Sequence, residues 1–146
     1  MNDMSHNDLT MTINRRIGAP PAKVYDAWLD PEKLIQFMAN CKGMTLASAT
    51  TDPRVGGRFS MVMNTGEKDI PHAGTYLELT PHSRIAFTWE SQYSTVEGST
   101  VTLDLQPDGA ATLLTLTHVR FANEGSRDGH KSGWSTILDG LAATTL

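Results

Sequence analysis

A chain of 146 residues with 39% hydrophobic and 19% charged side chains is long enough to bury a real core and too apolar to stay disordered. Its formal charge is −4 and its twelve Lys and Arg are scattered, so it lacks the basic face that counterion release demands, and no nucleic-acid partner is expected. No apolar run approaches the ~20 residues that span a bilayer, Met1 to Thr10 lack a signal-peptide pattern, and the one cysteine, Cys41, has no internal disulfide partner; a cytoplasmic protein without membrane contact is expected.

Met1 to Asp8 read as a flexible polar N-terminus, leaving residues 9–146 as one expected domain with no internal repeat or linker. Leu9 to Ile17 alternate apolar and polar residues, which marks a half-buried strand closed by Gly18. Pro20 and Pro21 suit a first helical turn, where the missing N–H groups would be unpaired anyway. Val24, Ala27 and Trp28 follow at helical spacing. Asp30-Pro31-Glu32 then signals a second start, with Asp30 as N-cap and Pro31 at the first helical position. Leu34, Phe37 and Met38 give this second short helix its apolar stripe.

From Leu46 onward strands and tight turns dominate. Arg58 to Met63 follow Gly56-Gly57; Gly74 to Leu79 follow the turn at Asn64-Thr65-Gly66; Arg84 to Glu90 follow Pro81-His82-Ser83. After Glu97-Gly98, Val101, Leu103 and Leu105 alternate with polar residues. Pro107-Asp108-Gly109 then turns the chain into a last strand, Thr112 to Val119. Strands this short, joined this tightly, predict an antiparallel meander. In the final segment Ser126 is the expected cap, and Trp134, Ile137, Leu138 and Leu141 form one apolar face of a long helix. Gly129 and Gly133 lie inside that helix although each costs about 1 kcal/mol against alanine. The expected class is α+β: a curved antiparallel sheet gripping a C-terminal helix.

The order of one strand, two short helices, six strands and a long helix resembles the helix-grip fold of the START-like (SRPBCC) superfamily, shared by birch-pollen-type allergens. Residues Ala19 to Trp28 with Asp30 to Leu34 look like that superfamily's opening, and Asp52 to Phe59 like its third-strand approach. Gly74 to Leu79 with Arg84 to Glu90 are similar to its central hairpin; Leu114 to His118 and Gly133-Trp134 with Leu138 and Leu141 close the pattern. Over residues 9–145 the set resembles the bacterial family named for the activator of the heat-shock-protein-90 ATPase, among the polyketide-cyclase-like proteins. The resemblance implies a seven-stranded sheet and a fold that hosts ligand carriers, cyclases and chaperone partners alike. Eukaryotic co-chaperones of this kind carry an additional N-terminal domain, so no ATPase stimulation by the present chain alone is expected.

A strongly curved sheet covered by one helix tends to leave space at its middle. Inward candidates are Phe59, Met61 and Met63, with Tyr76, Leu77 and Leu79 on the next strand. Ile85, Phe87 and Trp89, then Val101, Leu103 and Leu105, then Leu114, Leu116 and His118 follow. His130, Trp134, Ile137, Leu138 and Leu141 face them from the helix, with Trp89 and Trp134 expected on opposite walls of one cavity. The alternative is that Phe87, Trp89 and the methionines fill the space. His118 points inward, either to hydrogen-bond a ligand or carry a proton, or to bond a backbone carbonyl.

Gly56-Gly57 lacks the sequel of a phosphate loop and reads as a tight strand start. The five histidines show no metal-ligand spacing, so no metal and no cofactor are expected, although His118 and His130 can approach across the strand–helix corner. Asp104, Glu78 and Glu90 fall on the outer face, and no nucleophile–base set assembles. The leading expectation is a binding module for a small hydrophobic or aromatic molecule. A cyclase- or hydrolase-like enzyme using His118, with a hydroxyl such as Tyr76, and a stress- or chaperone-associated interaction protein are the alternatives; a homodimer stays open.

Overall fold

In the computed structural model residues 9–91 and 98–146 are described; the polar leader and Glu97 lie outside them. Eleven elements follow in chain order: β1 (Thr10–Ile17), α1 (Pro21–Leu29), α2 (Pro31–Met38), β2 (Thr45–Thr51), β3 (Arg58–Asn64) and β4 (Asp69–Thr80); then β5 (Arg84–Thr88), β6 (Glu90–Ser91), β7 (Thr100–Asp108), β8 (Ala111–Val119) and α3 (Glu124–Ala142). Seven strands form one antiparallel path in the order β1-β8-β7-β5-β4-β3-β2, and the two-residue β6 pairs off that path with β4. The curled sheet and three helices make an α+β helix-grip fold, the antiparallel sheet as the strands and turns predict and the grip as the family resemblance implies.

Local chemistry explains the corners. Pro20 and Pro21 open α1, and Asp30 closes it while accepting from the Glu32 N–H at 2.9 Å to cap α2. Gly56 takes φ 86° in the loop before β3 and donates its N–H to the Tyr76 carbonyl, a strand start and not an anion cradle. The hairpin at Asp108 and Gly109 pairs β7 with β8 in unbroken register from Thr100↔Val119 to Asp108↔Ala111.

Two local expectations are corrected. Asn123, not Ser126, caps α3: its side-chain oxygen accepts from the Ser126 N–H at 2.8 Å, so the helix starts earlier and Ser126 lies in its first turn. Leu77 does not face inward but is 48% exposed. The register between β4 and β5 shifts between Tyr76 and Glu78, and this bulge turns Leu77 outward while Tyr76 stays buried.

The space between sheet and helix is filled at its centre: Leu103, Leu114, Leu116, Leu138 and Leu141 are wholly buried. Removing α3 would expose this apolar face, so the helix holds the fold as well as closing it. Its C-terminal half is fastened at both sides. Arg15 on β1 reaches Asp139 at 2.9 Å and Ser135 at 2.7 Å, and Asn40 beyond α2 donates to Thr144 at 2.6 Å. Because Asp139 is exposed, the ion pair contributes at most about 1 kcal/mol, and apolar burial carries the packing. Among the described residues no helix is long and apolar enough to cross a membrane.

Candidate functional site: a cleft beside the N-terminal half of α3

The N-terminal half of α3 stands away from the sheet and leaves an apolar cleft of about 500 Å³. One wall is helical: Gly125, Gly129 and Gly133 recur every four residues on one face, with Ser126 and His130 beside them. A Cβ added at Gly129 or Gly133 would meet nothing within 4 Å, so these glycines front open space. The opposite wall comes from the β3–β4 hairpin and its neighbour β6: Met63 and Thr65 at the end of β3, Ile70 and His72 on β4, and Ser91 on β6. Trp89, Trp134, Ile137 and Met44 complete the lining.

Trp89 and Trp134 both line the cleft, yet they do not face each other across it. Their ring centroids are 4.7 Å apart, so they touch. The space lies beside the indole pair, nearer the start of α3 than the middle of the sheet. The Nε1 of Trp89 is buried and has no hydrogen-bond partner among the described residues. An unmet buried donor costs about 1–3 kcal/mol.

Of the residues expected around a pocket, Met63, Trp89, His130, Trp134 and Ile137 border this cleft. Phe59 and Phe87 stand behind Trp89, with centroids 6.3 and 6.2 Å from its ring, and Tyr76 packs on Phe59 at 5.3 Å. Met61 is buried on β3 but does not reach the cleft. Leu103, Leu116, Leu138 and Leu141 belong to the filled centre. Burial of Tyr76 pushes its phenol well above the usual range, so it stays protonated near neutral pH and cannot serve as a phenolate base.

His118 lies beneath Trp134, wholly buried and outside the cleft lining. The Trp134 indole can only donate, and it donates to His118 Nδ1 at 3.0 Å. The ring proton therefore sits on Nε2, which donates to Ser99 Oγ at 2.7 Å. This orientation is the reverse of a histidine that takes a proton from a serine. Burial above all, with His130 nearby, pushes the His118 pKa down to about 3, so the imidazole is neutral near pH 7. Both ring nitrogens are committed, and the structural role outweighs a catalytic one. His118 and His130 do approach, at 5.2 Å between rings, but edge to face. Among the described residues no group of three or more His, Cys, Asp or Glu is placed to hold a metal.

Two histidines do reach the cleft. His72 donates Nδ1–H to the Ile70 carbonyl at 3.0 Å, and His130 donates Nδ1–H to the Ser126 carbonyl at 2.8 Å. In their neutral forms each keeps Nε2 as an acceptor. Burial lowers the pKa of His72. Ile70, Met44, Thr65, Ser91 and His72 also line the cleft and carry no periodic signal in the sequence that would place them there. The signal that was available is the glycine spacing in α3.

Residues 18–145 match the family described as activator of Hsp90 ATPase homolog 1-like protein. Among solved structures, a Chromobacterium violaceum protein superposes with a TM-score of 0.80 at 28% identity, over 92% of this chain and 95% of that one. An HSP90 activator from Plasmodium falciparum gives 0.72 at 24% identity, over 91% and 93% of the two chains. CalU16 from Micromonospora echinospora gives 0.68 at 26% identity, over 90% and 73%. No curated protein matches the chain. The chain belongs to the Hsp90 ATPase activator homolog 1-like family, within the START-like helix-grip superfamily.

Proposed function

We propose that this chain is a binding module for a small hydrophobic or aromatic molecule, held in the cleft between the β3–β4 hairpin and the N-terminal half of α3. The observation that carries the reading is a cleft of about 500 Å³ whose lining holds no Asp, Glu, Lys or Arg among the described residues. That volume and that apolar surface suit a small organic ligand, since burial of apolar area is worth roughly 25 cal/mol per Å² before the costs of association. The working unit is residues 9–146, in the cytoplasm. Because the indole pair forms part of the lining, a ligand should quench or shift tryptophan emission and raise the melting temperature. A broad panel of aromatic and acyl compounds that changes neither would overturn the reading.

A chaperone partner is the second reading, favoured by the family description and by the Plasmodium falciparum HSP90 activator that shares the fold. We expect this chain alone to leave a chaperone ATPase unstimulated. A several-fold stimulation in a reconstituted assay would reverse that expectation and move the function from the cleft to a surface.

A further inference from the structure

The two halves of α3 are held by different means. The C-terminal half rests on Leu138 and Leu141 in the filled centre, with Arg15 and Asn40 at its flanks. The N-terminal half hangs on one buried cluster: Trp134 is bonded to His118, and the His130 ring lies 5.2 Å from His118 and 5.3 Å from Phe121. Toward the cleft Gly129 and Gly133 front open space. Together with Gly125 they make this the half of the helix that unwinds at least cost.

The bond that holds Trp134 has one polarity. An indole N–H only donates, and His118 Nδ1 accepts it only while the imidazole is neutral. A proton on Nδ1 sets donor against donor, and Nε2–H is already committed to Ser99 Oγ, so the charged ring has no acceptor to offer. Its surroundings do not compensate the charge. β1 places Met11 beside it, β7 places Val101, and neither side chain titrates. On α3 the facing titratable group is His130, which opposes a second positive charge; Glu124, Asp128 and Lys131 are exposed, and Arg127 is paired with Asp128 at 3.0 Å. Arg120, also basic, lies over Gly98 next to Ser99, and His72 on β4 lies across the cleft. Because His118 is wholly buried, a proton reaches Nδ1 only after the indole and its helix have swung away, and it then holds them away.

We propose that His118 is an acid-sensitive latch: a proton on Nδ1 ends its bond to the Trp134 indole and releases the N-terminal half of α3 from the sheet, widening the cleft, while the C-terminal half stays docked. The docked ring titrates far below the ordinary value of 6.5, at about 3, so docking is favoured fully above pH 6.5. Between those values the ratio of released to docked helix should rise about tenfold for each pH unit lost. The latch needs no guest in the cleft and stands or falls apart from the binding reading.

The test is an acid titration of the full chain by nitrogen–proton NMR, from about pH 7 to about pH 3.5. It follows the indole N–H signals of Trp134 and Trp28, the α3 amides and the ring nitrogens of His118. Trp28 packs on Phe37 of α2 and serves as the control at the closed end. Trp134 should lose its hydrogen-bonded signal, and the amides of Glu124 to Gly133 should reach unstructured positions, in the interval in which His118 gains its second ring proton. Trp28 and the amides of Ile137 to Leu141 should hold. In His118→Gln, whose side chain accepts and donates at any pH, Trp134 should stay docked throughout. Loss of both halves in one step, a Trp134 still docked at the lowest pH, or a His118 still neutral when Trp134 departs would each overturn the latch. So would a His118→Gln protein that releases Trp134 at the same pH. If that variant fails to fold, the three signals of the unaltered protein decide alone.

Discussion

The two halves of α3 use the same residue in opposite ways. Gly129 and Gly133, near its start, front open space, whereas Gly140, near its end, is pressed against α2. A Cβ at Gly140 would stand 2.8 Å from the Phe37 carbonyl oxygen and 2.7 Å from the Cys41 sulfur. At the closed end glycine permits two helices to touch; at the open end it keeps a wall thin. Helix propensity disfavours it equally at both, by about 1 kcal/mol. The difference teaches that a glycine inside a helix reports what lies opposite it, and that opposite means contact in one case and vacancy in the other.

The comparison breaks most easily at the closed end. Leu138→Ala, in the wholly buried centre, should cost about 2–5 kcal/mol in denaturant unfolding, because it adds a cavity to the lost transfer energy. Ile137→Ala should cost less, since Ile137 borders the cleft and its removal enlarges a space that already exists. Equal losses at the two positions would mean that the open half is packed like the closed one. Next in size, Gly140→Ala should destabilise by about 1–3 kcal/mol despite its better propensity, because the nearest obstacle includes backbone. A neutral result would show that α2 and α3 part easily.

His118, beneath Trp134, sets the pH dependence. Its folded pKa, about 3, lies below the unfolded value of 6.5, so the unfolded chain takes up the proton first as pH falls. The stability is complete above about pH 6.5 and should fall by about 1.4 kcal/mol per pH unit toward pH 3 from this residue alone. The lowered pKa of His72 acts in the same direction. His118→Gln should flatten the slope between pH 6 and 4; an unchanged slope would assign it to other groups. The smallest effect has the opposite sign. Gly133→Ala should stabilise the protein by about 1 kcal/mol and weaken any ligand of the cleft, a pairing that only a functional glycine gives. Stabilisation with binding untouched would leave the glycine wall without a role.

Much of the fold was legible because alternation is a local signal. The inward run Val101, Leu103, Leu105 and its partner Leu114, Leu116, His118 follow from period two alone, and Asp30-Pro31 announces its helix within three residues. The bulge at Leu77 was not legible: an extra residue between Tyr76 and Glu78 depends on the neighbouring strand, and alternation carries no mark of it. The site was half legible. Trp89 and Trp134 were placed at the cleft, but their contact depends on how far α3 lies from the sheet, a distance the apolar stripe does not encode. Gly129 and Gly133 stood out as a cost without a stated return, and only the third dimension supplied the open space opposite them. His72 was one of five scattered histidines until the β3–β4 pairing carried it to the cleft.

The contact between Trp89 and Trp134 also makes the protein its own optical gauge. Two indoles 4.7 Å apart and inclined at 54° share their excited states, so they should give a coupled pair of circular dichroism bands of opposite sign. One ring stands at the junction of β5 and β6 and the other on the covering helix. Any event that slides α3 by even a fraction of a ring's width, whether a guest entering the cleft or the first stage of unfolding, should change that signal before the backbone bands respond. The grip of the fold can thus be read without a label, in the chirality of the light it absorbs.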